Sequence, residues 1–346
     1  MIIDEFRVIG SLGTSRVLVG EKLENFRYYT GQNSVVVITD ENVAGFYGDY
    51  FGHFPVIVLK PGEKSKTLNT VNDIYKKLLK LNCDRNTFIL GVGGGIVCDI
   101  AGFAASTFLR GMHFGFVSTS LLSQVDASVG GKNGVNYRGY KNLVGTFSQP
   151  DFVICDPRTL VTLPKEEISG GFAEIIKHTL IADWQMFAYL EENIMKALNL
   201  NMEVIQKLTA HSISVKTAIV NRDEREKGDR KLLNFGHTLG HAIEKISGIS
   251  HGQAVAIGMV MASEFSAEMG FLSHEKVIRI KNLLTKFNLP VHTTIEPGKL
   301  LAAIQKDKKR NDQKISFIFL KNVGEAVIQE LEINQINKML NQLHQT

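Results

Sequence analysis

Three of the chain's ten histidines fall within one fifteen-residue stretch. His237 and His241, in His-Thr-Leu-Gly-His, are spaced i, i+4, which puts both on one face of a helix, and His251 opens the next helical pattern. With a carboxylate from Glu174, in the stretch Gly-Gly-Phe-Ala-Glu-Ile-Ile-Lys, they make up a metal-ligand set. Thr238 stands where a zinc peptidase carries its general-base glutamate, so peptide hydrolysis is disfavoured. A divalent metal acting as Lewis acid on a hydroxyl or carbonyl is the better fit.

A second chemistry resides in Gly91-Val92-Gly93-Gly94-Gly95-Ile96-Val97-Cys98-Asp99, a glycine cluster that follows an apolar run and opens a helix. Such a turn lets backbone N–H groups approach a pyrophosphate at a helix N-terminus, although the spacing is not GxGxxG and a purely structural turn reads the same way. Asp40, after an earlier apolar run, is placed either to hold a ribose hydroxyl or to cap a helix. Residues 118–134 and 141–147 crowd hydroxyls, the carboxylate of Asp126, Lys132, Lys141 and two asparagines around glycines. That mixture makes a poor core and a good site for a polar, anionic ligand.

The elements that must hold these groups follow from periodicity. Apolar, β-branched runs at 35–39, 56–59, 88–92, 115–118 and 152–155 read as buried parallel strands, and 67–81 as an amphipathic helix between two of them. This is βαβ patterning, open to a ligand at the strands' carboxyl ends. Asp156-Pro157 and Leu163-Pro164 punctuate its end. Beyond Pro164 the pattern turns helical, at roughly 169–182, 184–198, 203–221, 235–247, 253–269 and 273–286, with a late strand pair at 315–320 and 325–330. The fold class is thus an α/β, Rossmann-like nucleotide-binding domain over 1–164 and a mainly α-helical metal- and substrate-binding domain over 165–346.

Composition sets outer limits. At 346 residues and 44% hydrophobic content the chain can bury sizeable cores, which excludes disorder and fibrous repeats. A net charge of +4 is too small to imply nucleic-acid binding, and residues 306–314 read as a solvated charged loop. Three cysteines at unrelated spacings fit a reducing cytoplasm. The start, MIIDEFRVIG, has acids where a signal peptide needs basic residues, and no apolar run is long enough for a membrane span.

Taken in order, the blocks PGExxK, GGGxxxD, QVDxSVGGK, KNLxGTF, GxAExxK, RxLLNFGHTxGHAxE and HGxAV make the chain resemble the 3-dehydroquinate synthase family of the sugar phosphate cyclases, from Asp40 to about Lys309. The resemblance implies a cytoplasmic homodimeric lyase with NAD and zinc or cobalt. Its substrate would be 3-deoxy-D-arabino-heptulosonate 7-phosphate. In that reaction the C5 hydroxyl is oxidised transiently by NAD, phosphate leaves, C5 is reduced again, and an intramolecular aldol step closes 3-dehydroquinate. The substrate's own phosphate can act as base, so no dedicated general base is required.

Residue by residue, the resemblance implies NAD contacts at Asp40, Asn42, Glu63, Lys66, Gly94, Gly95, Asp99, Thr119, Ser120, Asp126, Lys141, Thr159, Leu160 and Thr162. It implies metal ligands at Glu174, His237 and His251. Substrate roles fall to Asp126, Lys132, Lys141, Asn142, Lys177, Lys216, Arg230, Asn234, His241 and a lysine of Asp307-Lys308-Lys309, while Arg110 reaches the neighbouring subunit's phosphate pocket. His241 thereby leaves the metal set that spacing gave it. Two residues depart from the family pattern: Cys98 stands where Gly is usual, and Ser120 where Thr is usual. A sister cyclase acting on a sugar phosphate without a carboxylate would lack need of Lys216, Arg230, His241 and the 307–309 lysine. A metal-dependent polyol dehydrogenase would need neither Lys132 nor Arg110.

Overall fold

The computed structural model describes residues 3–31, 33–307 and 314–345. They form two compact units, one of residues 1–164 with 205–224 and one of 165–204 with 225–346. The break after Pro164 coincides with the boundary read from sequence; the return of 205–224 to the first unit does not. Polar contacts tie the segment there: Ile9 N–H donates to Asn221 Oδ1 at 2.8 Å, Ser11 N–H to Glu224 Oε2 at 3.0 Å, and Gln206 lies against Gly20; its Ile205, Leu208, Ile213, Ile219 and Val220 are buried.

In the first unit the elements run β1 (Asp4–Gly10), β2 (Gly13–Val19), β3 (Val35–Asp40), α1 (Glu41–Tyr47), β4 (Val56–Leu59), α2 (Leu68–Lys80), β5 (Phe88–Gly93), α3 (Gly95–Thr107), β6 (Phe114–Ser118), β7 (Lys132–Tyr137), β8 (Tyr140–Phe147) and β9 (Phe152–Cys155). A seven-stranded sheet has the order β1-β2-β9-β6-β5-β3-β4, parallel throughout except for β1, and β7 and β8 form a separate antiparallel hairpin. The expected strands are all present. β3, β5, β6 and β9 are buried almost along their whole length, which explains why they read as continuous apolar runs rather than alternating ones. Leu18, Val37, Phe88, Leu90, Val117 and Phe152 form the heart of the core.

Chain direction across this sheet fixes where a ligand can enter. From β3 the chain passes through α1 to the edge strand β4, and from β5 through α3 to β6 on the other side. The connections diverge between β3 and β5, so a crevice opens at their carboxyl ends, where Thr39 pairs with Val92.

The second unit comprises α4 (Lys165–Ala182), α5 (Trp184–Glu192), α6 (Ile194–Leu198), the start of α7 (Met202–Arg222), α8 (His237–Ser247), α9 (His251–Glu268), α10 (His274–Lys286), α11 (Pro297–Asp307), the hairpin β10 (Lys314–Asn322) and β11 (Glu325–Glu332), and α12 (Ile333–Gln345). The single helix expected at 184–198 is two, broken at Asn193. Among the described residues no helix is long and apolar enough to cross a membrane. All three cysteines are free, and burial pushes the Cys98 and Cys155 thiols well up, which leaves them inert.

Candidate active site

Glu174, His237 and His251 come from three helices of the second unit, and small residues let those helices approach. A Cβ on Gly252 of α9 would collide with the backbone of Gly170 on α4, and one on Gly258 with the carbonyl of Gly236. A Cβ on Gly240 of α8 would come within 3.1 Å of the backbone of Ala254 and Val255 on α9. Gly236 takes φ +77, a left-handed conformation that β-carbon sterics disfavour, and so turns the chain directly into α8 with His237 as its first residue. His251 is likewise the first residue of α9, set by a capping box between Ser250 and Gln253.

The result is a cluster in which one donor atom each from Glu174, His237 and His251 lies within 4.8 Å of the others. The Nε2 atoms of His237 and His251 stand 3.6 and 3.7 Å from Oε1 of the fully buried Glu174. Ligands bonded at about 2.0–2.2 Å to one tetrahedral ion lie roughly 3.3–3.6 Å apart, so this donor set fits a divalent metal. Each imidazole is also oriented from behind. His237 Nδ1 lies 3.2 Å from the Phe235 carbonyl, which as an acceptor assigns the proton to Nδ1 and leaves Nε2 for a metal, and His251 Nδ1 lies 3.6 Å from Glu244 Oε2. Burial holds the His237 imidazole well below its usual range, reinforced by Lys177 and the neighbouring imidazoles. Burial also pulls His251 down, but Glu174 and Glu244 more than offset it and raise that imidazole to about 9.

His241 sits beside the cluster, its ring centroid 5.3 Å from that of His237 and 6.0 Å from that of His251, without joining the converging donors. The i, i+4 spacing therefore overstates it as a ligand. Lys177 is buried and ion-paired with Glu174, one helical turn away on α4. Arg230 is buried in the short helix Asp229–Asn234, and Asn234 donates to the Glu226 carboxylate. Glu244, behind His251, and Glu226, beside Asn234, are not singled out by sequence reasoning; the closing Glu of the GHAxE block is the available signal for Glu244.

In the first unit, the glycine turn lies at the divergence between β3 and β5. Gly94 caps α3, leaving the N–H groups of its first turn free of helical partners and pointed at the crevice. A Cβ on Gly95 would approach Ala127 to 2.9 Å and one on Gly94 would approach Ser120 to 3.2 Å. Those close approaches bring Thr119, Ser120 and Asp126 over the turn, a cradle that fits a dinucleotide. Asp126 lies in a π-helical turn, Ser123–Ala127, and receives the Lys216 ammonium on both its carboxylate and its carbonyl. At the neighbouring strand end Asp40 caps α1, accepting from the N–H groups of Asn42 and Val43 at 2.9 and 3.0 Å; of its two readings, capping is realised.

A third set lies along α3. Lys66 is buried, pairs with Asp99, and donates to Asn142 Oδ1 at 2.6 Å. Glu63 accepts from Asn136 at 2.7 Å. Burial pushes the Asp99 carboxyl up further than Lys66 pulls it down. Lys132 opens β7 and Lys141 lies on β8, both exposed. Thr159, Leu160 and Thr162 serve the fold: the Thr159 hydroxyl donates to Asp156 O, Leu160 is core, and Thr162 bonds Tyr47. Both departures from the family pattern are accommodated, Cys98 by burial against the Gly93 carbonyl and Ser120 by a hydrogen bond to Ser123.

Arg110 stands apart. Thirteen residues of α3 at ~1.5 Å each put it about 20 Å from the glycine turn, and it is exposed in a run, Leu109-Arg110-Gly111, with φ of +50, +66 and +116. Lys308 lies outside the described residues.

Two family models cover most of the chain, 3-dehydroquinate synthase N-terminal over residues 56–170 and 3-dehydroquinate synthase C-terminal over 171–310. A 3-dehydroquinate synthase of Ruminiclostridium cellulolyticum is 41% identical over 317 residues, 88% of each chain. Among solved structures, 2-deoxy-scyllo-inosose synthase complexed with carbaglucose-6-phosphate, NAD+ and Co2+ is 27% identical with a TM-score of 0.86, over 98% of this chain and 100% of that one. The 2-epi-5-epi-valiolone synthase of Streptomyces hygroscopicus, with NAD+ and Zn2+ bound, is 24% identical with a TM-score of 0.88 over 97% and 98%. At that identity the likeness carries the fold alone.

Proposed function

The chain belongs to the 3-dehydroquinate synthase family, and on that premise we propose how its residues convert 3-deoxy-D-arabino-heptulosonate 7-phosphate to 3-dehydroquinate and phosphate. The reaction is redox-neutral overall: oxidation of the C5 hydroxyl makes the C6 proton acidic, phosphate leaves, C5 is reduced again and the ring closes by an aldol step. When bound, NAD supplies the reversible hydride acceptor and a divalent metal, zinc or cobalt, supplies Lewis acidity toward a substrate oxygen. The converging donors of Glu174, His237 and His251 carry this reading, because a buried carboxylate facing two oriented imidazoles serves a metal better than it serves a core.

NAD is held by the N-terminus of α3 through Gly94 and Gly95, by Thr119, Ser120 and Asp126 over the turn, by Glu63, Lys66, Asp99 and Lys141, and by Asp40 and Asn42 at the β3 end. Thr159, Leu160 and Thr162 support it by fixing the corner after β9. Among first-unit residues, Lys132, Asn142 and Lys216 are assigned to the substrate; among second-unit residues, Lys177, Arg230, Asn234 and His241 are, together with a lysine of Asp307-Lys308-Lys309, and the cations in each set suit phosphate or carboxylate and the charge that grows as phosphate departs. Asp126 holds the Lys216 ammonium at a fixed point. His241, beside the metal cluster and outside it, is assigned to the substrate. Arg110, far from its own glycine turn, serves the partner subunit of a cytoplasmic homodimer.

Substrate identity is tested by supplying the seven-carbon sugar-acid phosphate and glucose 6-phosphate in parallel. Consumption of the first alone is expected. Turnover of glucose 6-phosphate, with the sugar acid untouched, would assign the chain to a sister cyclase activity.

A further inference from the structure

We propose that Asn136, which has no role in the mechanism above, is a positioning residue joining the cofactor side of the first unit to the substrate side. The inference rests on the functional reading just given. Asn136 lies where the β7–β8 hairpin loses register. Between the pairs Val135–Val144 and Tyr137–Tyr140, β7 has one residue, Asn136, while β8 has three, Lys141, Asn142 and Leu143. The surplus residues bulge from β8, and Asn142 takes a left-handed φ of +51 that costs a non-glycine residue energy.

Asn136 is what secures the bulge. Its Oδ1 accepts the Asn142 N–H at 2.9 Å, replacing the ladder bond that the bulge removes. Its Nδ2 donates to Glu63 Oε1 at 2.7 Å, and its own N–H donates to the Lys66 carbonyl at 2.9 Å, with a parallel bridge to Thr67. Lys66 closes the circuit by donating to Asn142 Oδ1. Thus one side chain touches Glu63 on the NAD side and fixes the backbone that presents Lys141 and Asn142. The amide donates in one direction and accepts in the other, whereas a carboxylate accepts alone and an aliphatic chain does neither.

The test separates the two arms. Asn136→Leu removes both bonds, whereas Asn136→Asp keeps the acceptor for Asn142 and sets a second carboxylate against Glu63. NAD dissociation constants by fluorescence titration, kcat at saturating NAD and melting temperature are measured for the full-length wild type and both variants. Asn136→Leu is expected to weaken NAD about tenfold and lower kcat about tenfold, amounts in line with hydrogen bonds of ordinary strength. Asn136→Asp is expected to weaken NAD at least as much, with kcat within about twofold of wild type, because its one lost bond is on the cofactor side. Both variants should melt within about 4 °C of wild type, since the bonds are exposed. Wild-type NAD affinity and kcat in Asn136→Leu, or equal kcat losses in both variants, would overturn the inference while leaving the functional reading intact. A wild-type chain that binds no NAD would overturn both.

Discussion

The Nδ1 atom of His251 lies 3.6 Å from Oε2 of Glu244, a residue one turn short of the C-terminal end of α8, so the carboxylate lies behind the imidazole whose other nitrogen faces Glu174. A carboxylate in that position orients the ring and raises its basicity. Glu244→Gln keeps the shape and removes the charge. Metal affinity should fall about 10–100-fold with the fold intact, as measured by competition with a chromophoric chelator. Unchanged affinity would show that Glu244 is incidental.

The same pairing predicts that metal uptake expels a proton. With its pKa raised to about 9, His251 is protonated at neutral pH in the metal-free chain and must deprotonate to ligate. Metal affinity should therefore rise with pH, about tenfold per unit, and level off near 9. Because the folded pKa lies above the ordinary value of 6.5, His251 stabilises the metal-free fold fully below about pH 6.5, and that contribution is lost as pH rises through about 9. Calorimetric titration of metal in buffers of different ionisation enthalpy counts the protons; a count of zero at pH 7 contradicts the assignment.

Lys66 and Asp99 predict a non-additive pair. Their side chains are 6% and 17% exposed, so removing one partner strands the other. Lys66→Met should cost about 3–5 kcal/mol in urea denaturation, and the double variant Lys66→Met with Asp99→Leu should cost less than the single. Both should bind NAD weakly. A double variant less stable than the single would mean that Asp99 contributes independently of Lys66.

Much of the fold and the site is legible in the sequence. The β-branched runs of β3, β5, β6 and β9 stand out because strands buried on both faces need apolar residues at every position, and the histidine spacing points to the segment where His237 and His251 converge on Glu174. The hairpins β1–β2 and β7–β8 are not legible: β7 and β8 are rich in polar residues and glycines, β1 mixes charges with its apolar residues, and β2 opens on Gly-Thr-Ser-Arg with only a short apolar end, so neither reads as a buried run. Spacing places His237 and His241 on one face but says nothing of how α8 is rotated against α4 and α9, and that rotation decides which imidazoles meet Glu174. Close glycine contacts between distant segments, and the return of 205–224 to the first unit, are long-range facts with no local signature. Asn136 is hidden for the same reason, since its partners at Glu63 and Asn142 are joined only by the fold.

The central claim is that NAD is used and returned within each turnover while phosphate is eliminated. It is tested most directly by incubating the metal-loaded chain with the seven-carbon sugar-acid phosphate and substoichiometric NAD, following phosphate, 3-dehydroquinate and absorbance of NADH together. Phosphate and 3-dehydroquinate are expected in equal amounts, with many turnovers per NAD and no net accumulation of NADH. Turnover that stops after one equivalent of NAD, with NADH accumulating and no phosphate released, would contradict the claim and identify a dehydrogenase.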